Sequence, residues 1–234
     1  MKDTRLSFVA LLIIYLSSFA IGRKVPKDFY SLKAKYIQSY DHRAVIGGYA
    51  MKVVKFEKYR GKVLLIVNTA TECVYADSHY RQLVKTYNTI NNLRLDSWEI
   101  ETPGIEEPDD SYFRILGFPC DQFGNHLEAA VEEAIDIFTR YKYGVLFEMF
   151  EKVRCVGEDA HPVWKFITSK ANRKPNWNFY KYLVDHTGTV VRAYPYSTSV
   201  DSIYDTIVKY VDAAKKYDME LKGKQQKAET QDKL

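Results

Sequence analysis

Cys73 is the residue whose type and position best suit nucleophilic chemistry. It lies directly after an unbroken apolar run and directly before a segment whose apolar residues recur at helical spacing. A cysteine at the start of a helix faces unpaired backbone N–H groups and the positive end of the helix dipole, and both stabilise a thiolate. A thiolate that attacks a peroxide becomes a sulfenic acid, the first reversible step of cysteine oxidation. This position therefore predicts a redox nucleophile.

Two further cysteines, Cys120 and Cys155, are distant from Cys73 in the sequence. No Cys-x-x-Cys motif is present, which argues against a thioredoxin-type dithiol site. Three cysteines make a poor disulfide framework, and any one of them, taken alone, equally fits a small buried hydrophobic residue. The histidines have no metal-ligand spacing with a cysteine, so we expect no metal site and no bound cofactor.

The apolar pattern predicts the elements that position Cys73. Residues 63–67 form an apolar run typical of a strand buried on both faces of a sheet that helices cover. Asp77 and Ser78 are helix-capping residue types, and the helix predicted after them extends to about residue 87. Its apolar face consists of Tyr80, Leu83, Val84 and Tyr87.

The rest of the chain alternates strands and helices. We predict an N-terminal hairpin with one long turn before residue 62, further strands over 113–118 and 144–150, and a β-hairpin from strands over 180–184 and 189–194. The polar residues 91–111 predict a surface loop. Two more amphipathic helices are predicted, one carrying Leu127, Val131, Ile135 and Phe138 and one over 200–214. This order predicts an α/β fold.

The two ends of the chain differ in character from the part between them. Lys2 and Arg5 precede an apolar run over 6–21, which predicts a secretory signal peptide over 1–22. The alternative is an uncleaved signal anchor, although the run is shorter than the ~20 residues of a spanning helix. In both cases the remainder enters the secretory lumen. We predict one domain over 28–217 and a charged, disordered tail over 218–234.

The composition excludes few classes of protein, and the length of the chain indicates how many domains it forms. The chain has 234 residues, of which 46% are hydrophobic, and a formal net charge of +4. This length suits a single core. The basic residues are spread along the chain, so the charge does not predict a nucleic-acid partner.

Several separated motifs resemble those of glutathione peroxidases. The run Lys62-Val-Leu-Leu-Ile-Val-Asn-Thr-Ala-Thr-Glu-Cys73 resembles their active-site strand and loop. The segments Gly117-Phe-Pro-Cys-Asp-Gln-Phe-Gly124, Met149-Phe-Glu-Lys152, His161-Pro162 and Trp177-Asn178-Phe179 also match, in the same order. The resemblance covers roughly residues 28–215. It implies a thioredoxin-like fold, with a central mixed β-sheet flanked by α-helices, and peroxidase activity.

The resemblance also implies a site. Cys73 would be the peroxidatic residue, and Gln122, Trp177 and Asn178 would supply neutral N–H donors to the thiolate, the peroxide and the developing oxyanion. Cys120 is the candidate resolving cysteine, with a buried strand residue as the alternative, and Cys155 has no expected catalytic role. The reductant implied is glutathione or a protein dithiol such as protein disulfide isomerase.

Within the family, Asp28-Phe-Tyr-Ser31 and Pro175-Asn-Trp-Asn178 resemble the cysteine-containing members of the endoplasmic reticulum. Their retention signal ends Lys-Asp-Glu-Leu, whereas this chain ends Gln231-Asp-Lys-Leu234. We therefore expect either the lumen of the endoplasmic reticulum or secretion.

Several departures from the family pattern concern the loops. Asn125-His126-Leu127-Glu128 replaces the usual Gln-Glu-Pro segment, Val74-Tyr75 follows the nucleophile, and Glu148 replaces a usual proline. The long insertion that forms tetramer contacts in other relatives is absent, which predicts a monomer. Three functions remain open: a luminal peroxidase of hydrogen peroxide or lipid hydroperoxides, a redox relay to protein disulfide isomerase, and a binding module with little turnover.

Overall fold

The N-terminal part of the domain forms a two-stranded antiparallel hairpin. The computed structural model describes residues 26, 28–38, 50–93, 111–124 and 132–231. Strand β1 (Lys33–Gln38) pairs with β2 (Ala50–Lys55). These two strands agree with the predicted hairpin. Its connecting turn lies outside the described residues, as do the predicted signal peptide and residues 94–110 of the predicted loop.

A five-stranded mixed sheet forms the centre of the domain. Its strands are β3 (Val63–Thr69), β4 (Phe113–Pro119), β5 (Glu148–Met149), β6 (Lys181–Val184) and β7 (Val190–Tyr194), in the order β5-β4-β3-β6-β7. β3 is parallel to β4 and antiparallel to β6. All seven residues of β3 are buried, as expected for a central strand covered on both faces.

The strand predicted over 144–150 is wrong in extent, because only Glu148–Met149 pair with β4. Gly144 has a φ of +65°, and its N–H donates to the Arg140 carbonyl at 2.8 Å. The turn at Gly144 therefore closes the preceding helix. Val145 and Phe147 are buried in irregular backbone, so their apolar character reports burial and not a strand.

In the described part of the chain, four α-helices cover the sheet: α1 (Ala76–Ile90), α2 (Glu132–Tyr143), α3 (Pro162–Ala171) and α4 (Tyr204–Gln231). The predicted apolar face of α1 is buried. Its predicted cap is wrong: the helix begins at Ala76, and Asp77 lies within the first turn, where its carboxylate pairs with Arg81. Among the described helices, none is long and apolar enough to cross a membrane.

α4 corrects the prediction of a disordered tail from Asp218, because the helix continues through Gln231. The segment is rich in Lys, Glu, Gln and Ala, which are good helix formers. Asp218 pairs with Lys222 one turn later at 2.8 Å, and its carboxylate also accepts a hydrogen bond from the Tyr112 hydroxyl at 2.6 Å. Local propensity and these two contacts stabilise a helix whose surface is largely polar.

The sheet separates two hydrophobic clusters. Along β3, Val63, Leu65 and Val67 belong to the first cluster, which α1 and α4 cover. Leu64 and Ile66 belong to the second, which α3 and the N-terminal residues cover. Because successive side chains of a strand point to opposite faces, these clusters are the two faces of one sheet.

Candidate active site

Cys73 lies between the end of β3 and the start of α1, as predicted. Its carbonyl accepts a hydrogen bond from the Ala76 N–H at 2.8 Å, which fixes the cysteine at the first turn of the helix. The residue is 6% exposed and packs in the first cluster, whereas its neighbours Val74 and Tyr75 are 85% and 38% exposed. The thiol therefore lies just below the surface, beneath an apolar rim.

Asn68 attaches the Trp177–Asn178 turn to the strand that leads to Cys73. Its side-chain amide donates to the Trp177 carbonyl at 3.0 Å and accepts from the Tyr180 N–H at 2.9 Å. Its own carbonyl accepts from the Phe179 N–H at 2.7 Å. These bonds hold Phe179 at a φ of +61°, which is rare for a residue other than glycine. Backbone strain of this kind occurs at functional sites.

Two polar atoms of this turn are buried without a hydrogen-bond partner among the described residues. They are the indole Nε1 of Trp177 and the side-chain Oδ1 of Asn178. The Asn178 amide nitrogen donates to the Phe123 carbonyl at 3.4 Å, which links the turn to the segment after β4. A buried indole N–H without a protein acceptor is a donor that a ligand can use.

Aromatic rings connect this turn to the loop of the nucleophile. The Tyr196 ring lies 5.2 Å from the Tyr75 ring and 6.5 Å from the Trp177 ring, measured between centroids. Tyr75 is two residues beyond Cys73, so Tyr196 joins the two halves of the site. The ring of His79 stacks on Phe179 with 4.7 Å between centroids.

A buried histidine and a buried lysine stabilise the loops behind these rings. His79 Nε2 lies 3.1 Å from the Tyr196 carbonyl, and burial, reinforced by the charge of Lys181, lowers the pKa of His79 to about 4. Lys181 Nζ donates to the Phe179 carbonyl at 2.7 Å and the Pro195 carbonyl at 3.3 Å. Burial lowers the pKa of Lys181 to about 7.

The side chain of Gln122 has a defined set of hydrogen bonds, and its predicted role as a donor to the peroxide stays a prediction. Its Oε1 accepts from the N–H groups of Cys155 and Val156 at 2.6 and 3.0 Å, and its Nε2 donates to the Val156 carbonyl at 2.9 Å. The amide is thus committed to the backbone after β5. Gln122 positions that segment, and its Oε1 also accepts from the Cys120 thiol at 3.7 Å. These bonds do not join Gln122 to Cys73, Trp177 or Asn178. The segment that replaces the family's Gln-Glu-Pro, residues 125–128, lies outside the described residues.

The three cysteines are distributed over both faces of the sheet. Cys73 belongs to the first cluster, whereas Cys120 and Cys155 belong to the second. Cys73 and Cys120 therefore pack in different clusters, and the resolving role of Cys120 stays a prediction. All three thiols are free and buried. No group of three potential metal ligands occurs in the part of the chain that the structure describes.

Several residues of this site carry a weak sequence signal. Asn68 and Lys181 are polar residues within apolar strands, where a polar side chain needs a specific partner. That pattern marks them as unusual but does not say which carbonyls they bind. His79 has no such signal, because its position in α1 equally fits the surface.

A cysteine placed between a central strand and the helix after it, in a mixed sheet covered on both faces, defines a thioredoxin-like redox protein. The fold agrees with solved structures. It matches the crystal structure of Trgpx in apo form with a TM-score of 0.56 and 26% identity, over 80% of this chain and 96% of that one. It also matches the crystal structure of T. cruzi GPX1 with a TM-score of 0.54 and 20% identity, over 80% and 97%.

The chain belongs to the glutathione peroxidase family. The profile of the family described as Glutathione peroxidase matches residues 40–97 and 105–168. Glutathione peroxidase 7 of Bos taurus is 35% identical over 79% of this chain and 83% of its own length. Probable glutathione peroxidase 8-A of Xenopus laevis is 33% identical over 68% of each. Membership makes the protein a peroxidase, an oxidoreductase that acts on peroxides.

Proposed function

We propose that this protein reduces hydroperoxides through Cys73 and is regenerated by an external thiol. The Cys73 thiolate attacks one oxygen of the peroxide, the O–O bond breaks, and the other oxygen leaves with a proton as water or an alcohol. The sulfur is oxidised to a sulfenic acid by two electrons. One external thiol condenses with it and releases water. A second external thiol then reduces the mixed disulfide and restores Cys73.

The position of Cys73 at the start of α1, in a loop whose Tyr75 is connected to Trp177 through the Tyr196 ring, is the observation that carries this proposal. N–H groups at a helix start favour the anionic sulfur. The indole N–H of Trp177 has no protein acceptor among the described residues, so it is available to the leaving oxygen. A donor that is already oriented stabilises developing charge without reorganisation.

An external reductant is favoured because Cys120 packs on the opposite face of the sheet from Cys73. Glutathione and a protein dithiol such as protein disulfide isomerase both satisfy the chemistry. Val74 and Tyr75 form an exposed apolar rim beside the thiol. Such a rim accommodates a hydrogen peroxide molecule and also the apolar chain of a lipid hydroperoxide.

We assign this activity to the secretory lumen, in the endoplasmic reticulum or after secretion. The support is the basic start and apolar run of residues 1–22, which have the layout of a signal peptide. The protein acts in this proposal as a monomer. Cell fractionation with a protease-protection assay tests the location, and a protease-accessible cytosolic pool of the whole chain contradicts it.

Stopped-flow oxidation of the reduced protein by hydrogen peroxide tests the reaction, with tryptophan fluorescence as the signal. We expect a fast second-order phase in the wild type and its loss in Cys73→Ser. Cys120→Ser is the matched control and retains the phase. Trp177→Phe keeps an aromatic ring but removes the indole N–H, and slows the phase by about 10²-fold. A wild-type rate equal to that of free cysteine contradicts the proposal and favours a binding module.

A further inference from the structure

Cys120 and Cys155 lie together in a part of the core that the proposed reaction does not use. Their exposed fractions are 0% and 1%. The chain after β5 runs beside the end of β4, since the Val153 N–H donates to the Pro119 carbonyl at 2.9 Å. The Gln122 Oε1 accepts from the Cys155 N–H at 2.6 Å and from the Cys120 thiol at 3.7 Å. Both cysteines thus contact the same Gln122 oxygen, and both belong to the second cluster.

This arrangement suits a disulfide. A disulfide needs two Cα atoms about 4.4–6.8 Å apart with their side chains directed at each other. The Cys120 sulfur and the Cys155 nitrogen lie 3.7 and 2.6 Å from the same Gln122 oxygen, so these two atoms are no farther apart than the sum of the two distances. Both side chains pack in the second cluster, and the bond would join two segments that already lie side by side.

The two thiols differ in chemical character. Contact with the Cys155 thiol is the main cause that lowers the pKa of Cys120, and burial raises the pKa of Cys155 well above its ordinary value. The lowered pKa favours the thiolate at Cys120, whereas burial favours the protonated thiol at Cys155. A dithiol with one activated member is the arrangement that reacts stepwise, the first thiol with an oxidant and the second with the product.

We propose that Cys120 and Cys155 are a second redox site, a buried dithiol that closes to an intramolecular disulfide with a hydroperoxide as oxidant. The Cys120 thiolate attacks the peroxide and becomes a sulfenic acid while the other peroxide oxygen leaves as water or an alcohol. The Cys155 sulfur attacks the Cys120 sulfur, an S–S bond forms, and the hydroxyl leaves as water with the Cys155 proton. Two thiols lose two electrons in total, and the peroxide gains them.

The sheet separates this site from Cys73. Cys73 packs in the cluster that contains Leu65 of β3. Cys120 and Cys155 pack in the cluster that contains Leu64, whose side chain points to the other face of the same strand. Both thiols of the pair are enclosed, so peroxide reaches them more slowly than it reaches Cys73. Closure links the segment after β4 to the segment after β5, and leaves the oxidised Cys73 to an external thiol.

Disulfide mapping tests the proposal independently of the peroxidase activity. The reduced full chain is exposed to hydrogen peroxide, remaining thiols are alkylated under denaturing conditions, and peptides are identified by mass spectrometry without reduction. We expect a peptide pair linked through Cys120 and Cys155, in the wild type and in Cys73→Ser alike. Cys73→Ser lacks the proposed peroxidatic thiol, so a linked pair in this variant does not depend on any reaction at Cys73. The two proposals can therefore fail separately.

Cys155→Ala is the matched control, in which no linked pair forms. Cys73→Ser decides the matter even where the control variant does not fold, since its intact mass falls by the two hydrogens of one disulfide. A peptide pair that joins Cys73 to Cys120 overturns the proposal. So does a sample in which Cys120 and Cys155 both remain alkylatable, or in which Cys120 is oxidised to a sulfinic acid with Cys155 still free.

Discussion

Replacing Asn68 by alanine removes the side chain that attaches the Trp177–Asn178 turn to β3. Two hydrogen bonds are lost, one to the Trp177 carbonyl at 3.0 Å and one from the Tyr180 N–H at 2.9 Å. Asn68 is fully buried, so water does not replace the missing amide. The backbone bond from the Phe179 N–H to the Asn68 carbonyl remains, and the turn is loosened without being released.

The expected magnitude follows from the two groups left behind. A buried donor or acceptor without its partner costs about 1–3 kcal/mol, so the pair lowers the free energy of unfolding by about 2–6 kcal/mol. Domains of this kind have about 5–15 kcal/mol of stability, and the variant should therefore remain largely folded. A displacement of about 1 Å at the Trp177 indole is expected to slow peroxide reduction by on the order of 10²-fold.

Two measurements on matched variants separate stability from positioning. Leu64→Ala lies on the same face of β3 at its opposite end and costs about 2–5 kcal/mol. Urea denaturation should give similar losses for the two variants, whereas stopped-flow oxidation by hydrogen peroxide should slow in Asn68→Ala alone. If Asn68→Ala is destabilised and yet reacts at the wild-type rate, Asn68 has no positioning role and the reasoning is refuted.

Two further predictions concern pH. Burial lowers the pKa of His161 from 6.5 to about 4. Between pH 6.5 and pH 4 the unfolded chain therefore binds a proton at this residue that the folded chain does not bind. The free energy of unfolding falls as the pH falls, by about 1.4 kcal/mol per pH unit. His161→Asn keeps an N-cap acceptor, and its urea midpoint should decrease less between pH 6.5 and 4.5 than that of the wild type. The decrease that remains includes the similar contribution of His79. An unchanged dependence of the midpoint on pH contradicts this prediction. Burial lowers the pKa of Lys181 from 10.5 to about 7, so stability rises with pH between 7 and 9 as the unfolded chain alone stays protonated. Lys181→Met should abolish that rise, and a rise that persists in the variant would show that other groups cause it.

The sequence predicts the central strands well because their apolar runs have a single physical cause, burial on both faces. The same cause misleads at Val145 and Phe147, which are buried without forming a strand. No helix is predicted for α3, although His161 accepts a hydrogen bond from the Val163 N–H and Pro162 occupies the first helical position, a common start. Short helices within apolar sequence lack the polar face that makes a helical period visible.

The position of a site residue in the chain was predictable where a motif determines it. The direction of a side chain was not predictable where contacts with distant residues determine it. Cys73 lies at the strand–helix junction because the apolar run ends before it, which the sequence states directly. Gln122 is adjacent in sequence to candidate site residues, yet its amide turns toward Cys155 and Val156. The direction of a side chain in a loop depends on the partner it meets, and that partner is 33 residues away.

The distribution of the cysteines follows from strand alternation, and it bears on how the enzyme turns over. The odd-numbered residues of β3 lead to the face that holds Cys73, and the even-numbered residues share the face of Cys120 and Cys155. A disulfide between Cys73 and Cys120 would require one of them to leave its cluster, at a cost in buried apolar area. Condensation of the Cys73 sulfenic acid with a thiol from solution requires no such movement, since the apolar rim at Val74 is already exposed. The rate of regeneration should therefore depend on the concentration of added thiol and be the same in Cys120→Ser, which single-turnover reduction of the oxidised protein measures.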